Sequence, residues 1–565
     1  MSVARPRAHH AKPTAVSPWS KLYGMGNVYA KTLRDSRIAI MVLAAILGLM
    51  LLATGADYGQ AYATPQSRAD FVNVVHELPT AVRGIYGDPF PANLSTLGGM
   101  VSLKIAASAA LVACFWSILA LSSTLASESR RGSLELIAVT PLSRRKLALE
   151  KLAAHVTSLA IVLAVLAAVC WLSGAVFGTL PGDAISAQAS IGFAVWIGLM
   201  ALASGSIAFA LAPLFGRAGA AGIAGAFTVG GFLINGYQSA VPVFSGWSNV
   251  TWFGWTVHNQ PLADQYNWSS LIPVALVAIV VFVTGVEIFA RRDLGATTSI
   301  PWLRFPQATL GLRGPLGRSF GDRLPLALAW GAGLGLFGMV LGASAGSFSD
   351  SIGKTSQSSL DLFHRLFPGI DLTTAGGFLQ LTFVEFGFIF AGFAAVTLIA
   401  GWASDELRGR FDLLLTAPLG RVKWAISSGL GVLAAIAIMT VVMGLGIGAG
   451  AAMVGSDALT PMIGTAVLGL YAAAIAGVGL ALGSLIRPSI AATAAGVLVG
   501  LTFLLDLIAP GFKLPGWVHQ IVLTSHLGQP MVGEWNWFGV AVCLLLALGG
   551  LAISAWGMNR RDVAR

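Results

Sequence analysis

Apolar runs of 18 residues or more recur along this chain of 565 residues, and they restrict its fold more than any other feature. A run of that length can cross the hydrocarbon core of a bilayer, where each backbone group must be hydrogen-bonded inside the protein. The chain is 56% hydrophobic and 10% charged, whereas soluble domains carry about 25% charged residues. The pattern therefore predicts an all-α polytopic membrane protein.

Twelve of these runs are long enough to be transmembrane helices. They cover 38–56, 101–126, 150–175, 190–214, 218–239, 271–290, 325–345, 376–403, 425–453, 462–485, 489–509 and 538–558. Many of the 68 glycines lie within them, which fits close helix packing in lipid. The three cysteines also lie in apolar runs, so no disulfide framework or metal site is indicated.

Lysine and arginine are concentrated on one side of this topology. That side holds 28 of the 34 basic residues, including those before the first span and after the last. Because cytoplasmic loops carry an excess of Lys and Arg, we expect a bacterial plasma-membrane protein with both termini in the cytoplasm. The net charge of +10 then reflects topology and attraction to anionic lipid, and it requires no nucleic-acid partner.

One charged segment occurs twice, once in each half of the chain. The first copy, 127–144, follows the second span, and the second copy, 404–421, follows the eighth. Three pairs of markers recur at nearly constant separation: Gly132 and Gly409, Ala210-Leu211 and Ala481-Leu482, and Arg291-Arg292-Asp293 and Arg560-Arg561-Asp562. The repeat predicts two parallel six-helix halves, related by an axis along the membrane normal.

The repeat also divides the chain into four parts. These are a cytoplasmic N-terminus with an interfacial elbow helix (1–37), a first transmembrane half (38–293), a cytoplasmic linker (294–324) and a second transmembrane half (325–562). The elbow helix is predicted from the apolar face formed by Trp19, Leu22, Gly26, Tyr29 and Leu33. Prolines in the linker predict a broken helix or a loop there.

The first copy of the repeated segment has the composition of a docking surface. Gly132 permits a sharp turn, and Leu134 begins a short apolar ridge between charges of both signs. Thr140 and Pro141 fit the start of the next helix, as N-cap and first residue. A basic loop that only fixes topology is the alternative, and the duplication at matching positions disfavours it.

The repeated segments and the Arg-Arg-Asp after each sixth span resemble the permeases of ABC type-2 exporters. The first copy reads Glu-x-x-Arg-Gly-x-Leu-Glu-Leu-Ile-x-x-Thr-Pro-Leu-Ser-Arg. The two-half arrangement resembles the fused permeases of actinobacterial polyketide-antibiotic (tetronasin-type) and multidrug exporters. The second copy departs mildly, since Arg410 occupies a usually small position, Asp412 replaces glutamate and Gly420 replaces serine.

This resemblance implies an ABC type-2 (ABCG-like) exporter fold with twelve helices and no enzymatic activity in the chain itself. ATP and Mg²⁺ would bind to a separate cytoplasmic ATPase, of which the permease would take two copies. Each repeated segment would be a coupling helix that docks on one copy. The residues implied in these contacts are Glu128, Arg131, Gly132, Leu134, Glu135 and Pro141, and Asp405, Arg408, Gly409, Phe411, Asp412 and Pro418.

The resemblance further implies a substrate path between the second and fifth spans of the two halves. The substrate would be a hydrophobic or amphipathic compound (an antibiotic, drug or lipid) that moves out of the cell. The candidate aromatic side chains on those spans are Phe115, Phe227, Phe232, Phe383 and Phe503. Glu385 lies inside the eighth span, where it either contacts a cationic substrate group or bonds a neighbouring helix.

Other functional classes fit the sequence less well. An ion-coupled secondary transporter normally needs several membrane carboxylates or broken helices, and a permease-like sensor that does not transport is a further alternative. A membrane-embedded enzyme needs clustered catalytic groups, which the sequence does not display. Gly353-Lys354-Thr355 resembles the end of a phosphate-binding loop, but Phe348 occupies the position of the required glycine.

Overall fold

Long helices make up nearly all of the structure that is described. The computed structural model describes residues 27–77, 84, 91, 93–130, 143–239, 242–291, 314–352, 370–371, 373–407, 420–508 and 522–560. Within this part of the chain, ten helices are long and apolar enough to span a membrane, or eleven if one bent pair is a single span. The fold is therefore that of an all-α polytopic membrane protein, and the number of spans that qualify falls short of twelve.

The described residues of the first half form nine α-helices. They are α1 Val28–Asp35, α2 Arg37–Ala61, α3 Pro65–Glu77, α4 Leu97–Arg130, α5 Arg144–Phe177, α6 Ala187–Gly236, α7 Pro242–Ser248, α8 Trp252–Trp255 and α9 Leu271–Arg291. Gly216 interrupts α6 with a φ of 72°, a backbone conformation that glycine adopts without strain. The break divides α6 into two candidate spans, Ala187–Arg217 and Gly219–Gly236.

The second half repeats this order with more interruptions. Its helices are α10 Gly314–Ile352, α11 Ala375–Leu379, α12 Phe386–Leu407, α13 Arg421–Met453, α14 Leu459–Gly464, α15 Ala466–Leu485, α16 Pro488–Ile508 and α17 Trp537–Arg560. A π-helical turn, Gln380–Glu385, joins α11 to α12. A two-stranded hairpin, β1 Gly528–Gln529 and β2 Glu534–Trp535, precedes α17.

The predicted span at 489–509 corresponds to α16, which has 21 residues. About 20 residues are needed to cross the hydrocarbon core. Within the residues whose side chains are described, its apolar stretch is Ile490–Phe503, and it is therefore not among the eleven spans that qualify when the bent pair counts as one.

Two helix starts differ from the sequence prediction. The elbow helix begins at Val28 in the described part of the chain, where the Asn27 side chain accepts a hydrogen bond from the Ala30 amide (2.7 Å). Trp19, Leu22 and Gly26 lie outside the described residues. Helix α10 begins at Gly314, inside the predicted linker, because proline at position 315 fits the first turn of a helix.

The two halves pack their long helices in the same order. Helix α2 packs on α5 as α10 packs on α13, and α6 packs on α9 as α15 packs on α17. Helix α4 packs on α6, and α12 correspondingly packs on α15 and α16. This correspondence supports the internal repeat inferred from the sequence.

Contacts between the halves are reciprocal. Helix α16 of the second half packs on α2, and α6 of the first half packs on α10. Tyr237, at the end of α6, is 1% exposed and belongs to the apolar core of the second half, with its ring 6.3 Å from that of Phe337. A two-fold axis between the halves produces this kind of paired contact.

Candidate functional site

The predicted coupling segment of the first half lies between two helices that are longer than a bilayer is thick. Helices α4 and α5 have 34 residues each, which corresponds to a length of about 51 Å. The hydrocarbon core is about 30 Å thick, so both helices extend beyond it. Ser143 caps α5 by accepting a hydrogen bond from the Lys146 amide (3.3 Å). The helix thus begins after Ser143 rather than at the predicted Thr140.

A buried lysine fastens these two helices to each other. Lys151 on α5 is 3% exposed, and its Nζ donates a hydrogen bond to the Thr124 carbonyl near the end of α4 (3.0 Å). A buried ammonium group is stable only when it is hydrogen-bonded. The contact therefore ties the helix that enters segment 131–142 to the helix that leaves it.

The elbow helix is attached to the same place. The Glu150 carboxylate on α5 accepts hydrogen bonds from the backbone amides of Val28 (3.0 Å) and Tyr29 (3.3 Å). The Tyr29 hydroxyl donates to Thr157 Oγ1 (3.0 Å). The first amides of a helix have no partner within the helix and carry partial positive charge, so a carboxylate stabilises that end.

A third helix joins through an exposed ion network. Glu287 near the end of α9 accepts hydrogen bonds from Arg145 on α5 and from Arg291 one turn further along α9, both at 2.7 Å. Because these groups are exposed, the network contributes little to stability. We call Thr124, Arg145, Glu150, Lys151 and Glu287 the first base.

The second half has a matching set of contacts made with aromatic side chains. Trp402 on α12 donates from Nε1 to Ser428 Oγ on α13 (3.0 Å), and the rings of Trp402 and Trp424 lie 6.0 Å apart. Ser319 on α10 donates from its hydroxyl to the Ser428 carbonyl (2.8 Å). The Arg560 guanidinium lies 4.4 Å from the centre of the Trp556 ring. We call these six residues the second base.

The two bases occupy equivalent positions in the repeat. Lys151 stands seven residues after Arg144, as Ser428 stands seven residues after Arg421. Glu287 and Arg291 correspond in the same way to Trp556 and Arg560, each pair being one helical turn apart. The Lys151–Thr124 and Trp402–Ser428 contacts therefore join equivalent helix pairs, α4 with α5 and α12 with α13, whereas Arg560 and Trp556 interact within α17.

Most of the predicted coupling residues fall outside the described part of the chain. Glu128 lies on α4 and Asp405 lies on α12. The other predicted contact residues, which lie outside the described residues, are Arg131, Gly132, Leu134, Glu135, Pro141, Arg408, Gly409, Phe411, Asp412 and Pro418. Their role as coupling residues remains a prediction.

The substrate-path candidates are not gathered into one group. Phe383 is fully buried in the second-half core, and Phe232 packs edge-on against Phe253 (5.8 Å) in the first. Phe227 on α6 is 62% exposed, whereas Phe115 and Phe503 are half-buried. Phe115 on α4 lies beside Gly225 of α6, so the second and fifth spans of the first half meet at this ring.

Glu385 occupies the interruption of the eighth span. It is the last residue of the π-helical turn, and the helices on either side of that turn are bent by 40°. The side chain is exposed, and its Oε1 accepts a hydrogen bond from Gln380 Nε2 (3.5 Å). Single π-helical turns within α-helices occur frequently at functional sites. Glu385 therefore stays a candidate for binding a cationic group of the substrate.

A second repeated feature lies at the ends of the helices opposite the two bases, which we call the outer side. Gln260-Pro261 is followed by Asn267-Trp268, and Gln529-Pro530 by Asn536-Trp537, with the same spacing. Each segment forms a 3₁₀ turn ending in a left-handed residue, Asp264 (φ 58°) or Gly533 (φ 88°). The spacing was visible in the sequence and would have revealed the repeat on this side as well.

Each outer turn lies against the start of two spans. A Cβ atom at Gly98 would collide with the Leu262 carbonyl oxygen, whereas one at Gly192 would lie 3.0 Å from the Pro261 side chain. In the second half, Cβ atoms at Gly376 and Gly464 would lie 2.7 Å and 2.6 Å from the carbonyl oxygens of Met531 and Pro530. Gly98, Gly376 and Gly464 therefore lie too close to a neighbouring backbone for a Cβ atom, and a Cβ at Gly192 would be tightly packed.

The outer side of the first half also contains a buried ion pair. Arg68 on α3 is 3% exposed and donates to both oxygens of Asp183, with its Nη2 2.7 Å from Oδ2. The carboxylate also accepts hydrogen bonds from the amides of Leu97, Thr179 and Leu180. Burial raises the pKa of Asp183, but Arg68 and these amides together lower it further, so the pKa falls to about 2.

Comparison with known proteins shows a similarity to a multidrug efflux permease. Residues 312–559 match the model of the family described as multidrug efflux system permease Rv1217c, C-terminal domain. The chain is 27% identical over 574 aligned residues to the multidrug efflux system permease protein Rv1217c of Mycobacterium tuberculosis, covering 99% of this chain and 98% of that protein. The predicted resemblance to a multidrug-exporter permease is thereby confirmed, and it extends along nearly the whole chain.

Proposed function

We propose that this efflux-type permease is the membrane subunit of an ATP-driven exporter. It would move a hydrophobic or amphipathic compound out of a bacterial cell while two separate ATPase subunits hydrolyse ATP in the cytoplasm. Both termini and both bases would face that compartment. The named relative is a multidrug efflux permease, which supports the direction of transport and the substrate class.

The observation that carries this proposal is the matched fastening of the helices around each repeated segment. Lys151 joins α5 to α4, and Trp402 joins α12 to α13, at equivalent positions. A force applied to segment 131–142 or 408–419 would then move two long helices together rather than bend one loop. Rigid-body movement of packed helices is how alternating access is achieved in many transporters.

The two ATPase contacts would be inequivalent. The first segment contains Glu135 where the second has Asp412. It leads into a helix capped by Ser143, whereas Gly420 provides no side-chain cap. An N-cap side chain stabilises a helix start by about 1 kcal/mol. The second segment therefore joins a less firmly fixed helix start.

Affinity co-purification from native membranes tests the proposal. The tagged chain is expected to bring down a stoichiometric ATPase, and the complex is expected to hydrolyse ATP. Combined Glu135→Lys and Asp412→Lys substitutions should remove the partner, because they reverse charge on both contact surfaces. Glu534→Lys, an exposed charge reversal on the outer hairpin, is the matched control and should retain it. A chain that purifies without an ATPase and still transports would contradict the proposal.

One observation favours a second candidate function, an ion-coupled carrier. Glu385 is a carboxylate in a bent span, and broken helices carry the ion sites of many secondary transporters. Glu385→Gln would then abolish transport driven by an imposed pH or sodium gradient in vesicles without ATP. Under the exporter proposal such vesicles show no gradient-driven transport before or after the substitution.

A further inference from the structure

A cavity lies in the second half, between helices that the structure describes. Its volume is about 280 Å³, and it lies between α15, α16, α17 and the outer segment that carries His526. Most of its wall is apolar, with Ile475, Leu498 and Leu546 among the lining residues. A concave apolar site with a few converging polar groups is the usual form of a binding site.

The polar groups of the cavity belong to three residues. The Tyr471 hydroxyl and Thr502 Oγ1 are hydrogen-bonded to each other (3.2 Å), and His526 completes the lining on the outer side. Hydroxyl groups both donate and accept, and an imidazole can donate to an oxygen. Because the other walls are apolar, the cavity suits a molecule with an apolar chain and an oxygen-bearing end.

Two lining residues of the cavity, Tyr471 and Ala474, lie on α15. Ala474 stands seven residues before Ala481, as Ala203 stands seven residues before Ala210, and Tyr471 corresponds in the same way to Met200. In the first half, Met200 and Ala203 belong to an apolar cluster that contains Trp252. The Tyr471 hydroxyl is therefore a polar group that the equivalent first-half position does not carry.

Its size and position indicate what occupies it. Drug-sized ligands occupy pockets of about 300–1,000 Å³, so this cavity suits a single chain better than a whole drug molecule. Phe538 on α17, which lines the cavity, is 72% exposed. Leu545 on the same helix is 70% exposed, and Leu501 on α16 is 52% exposed. Exposed apolar side chains on membrane-spanning helices face lipid, so lipid is the molecule that surrounds this cavity.

We propose that this cavity, between α15, α16 and α17, binds one acyl chain of a bilayer lipid, with the ester end of the lipid at Tyr471, Thr502 and His526. The site lies in the second half and is separate from the candidate residues of the substrate path. The proposal does not depend on ATP-driven export, because a lipid site can be occupied in the absence of any ATPase.

Photolabelling of the purified full-length chain tests this site. The chain is reconstituted in phosphatidylcholine vesicles that contain a minor fraction of phosphatidylglycerol carrying a diazirine on its acyl chain. After illumination, labelled peptides are identified by mass spectrometry. Label is expected in 466–485 and 488–508, and not in the corresponding first-half peptides around Leu199.

Two variants alter the lining of the cavity. Ala474→Leu fills the apolar part, and Tyr471→Leu removes a hydroxyl. Each should lower the labelling of these peptides by roughly tenfold, which corresponds to about 1.4 kcal/mol of binding free energy. Leu202→Ile, a volume-conserving change on the first-half helix α6, is the control and should leave labelling unchanged. Unaltered elution and thermal unfolding would show that each variant is folded.

Competition experiments distinguish a bound lipid from a bound transported compound. Excess unlabelled phosphatidylglycerol should displace the label, whereas the amphipathic dye rhodamine 6G should not. Displacement by the dye alone would assign the cavity to a transported compound and overturn the lipid site. Equal labelling of both halves, or labelling that Ala474→Leu does not reduce, would show ordinary contact with surrounding lipid and would also overturn it.

Discussion

The two bases hold equivalent helices at the same level with different chemistry. In the first, the buried Lys151 ammonium bonds a backbone carbonyl, and Glu287 joins two arginines. In the second, Trp402 bonds Ser428, and Arg560 stacks on Trp556. The comparison shows that the position of a contact can be repeated while its residues change. It also indicates that the two bases differ in charge and respond differently to salt.

The largest effect is expected on the outer side, where the halves differ most. Asp183 stands nine residues before Gly192, and Gly455 occupies the equivalent place before Gly464. Arg68→Met would leave the buried Asp183 carboxylate without its partner, and loss of one member of a buried pair costs about 3–5 kcal/mol. Thermal unfolding of the purified chain measures the loss. Asp457→Asn, which retains a capping side chain near Gly455, should have no effect, and equal effects would contradict the comparison.

The Arg68–Asp183 ion pair also makes the stability of the folded chain depend on pH. The pKa of Asp183 is lowered to about 2 from 3.8, so its stabilisation is complete above about pH 4 and is lost as the pH falls toward 2. The loss amounts to about 2 kcal/mol. The rate of proteolysis of the outer first-half segment is measured from pH 7 down to pH 2. It should not change between pH 7 and pH 5. Increased cleavage already at pH 5 would exclude a lowered pKa.

A smaller contrast is expected between the two fastening contacts. Lys151→Met removes a buried charged donor, which costs about 1–3 kcal/mol, whereas Trp402→Phe removes a neutral hydrogen bond worth about 1 kcal/mol. The unfolding temperature should therefore fall further for Lys151→Met than for Trp402→Phe. The stimulation of ATPase activity by substrate should also be weaker in the Lys151→Met variant. If both variants unfold alike, the two bases are energetically equivalent despite their composition.

The smallest effect concerns the exposed contacts at the ends of α9 and α17. Glu287→Gln removes an ion network that salt screens, whereas Trp556→Leu removes a contact between a ring and a cation that persists in salt. Unfolding measured at low and high salt should show the Glu287 effect only at low salt. A Trp556 effect that also disappears at high salt would mean that charge alone governs both ends.

The sequence predicted the features that depend on a single segment of the chain. Eleven of the twelve predicted runs coincide with qualifying spans when the bent pair counts as one, because length and apolar composition are properties of a single segment. Gly132 and Gly409 identified the duplication for the same reason. The relation to multidrug-exporter permeases was also readable, since its motif lies within 18 consecutive residues.

Contacts between distant residues could not be predicted in this way. In the sequence, Lys151 counts only as one basic residue among many on the predicted cytoplasmic side, and its bond to Thr124 depends on how α4 and α5 pack. Arg68 and Asp183 are 115 residues apart, and no pattern links them. The bend at Glu385 arises from a π-helical turn, which a hydrophobic run does not reveal. The bases and the outer ion pair therefore required the structure.

In the proposed exporter, one chain presents two inequivalent docking surfaces to two ATPase copies. Native mass spectrometry of the complex, extracted from its own membrane, measures this directly. The account predicts one permease with two ATPase copies, one copy after either Glu135→Lys or Asp412→Lys, and none after both. Unequal residual occupancy of the two single variants would reflect the inequivalent surfaces. A complex with a single ATPase copy, or two copies that survive the double substitution, would contradict the claim.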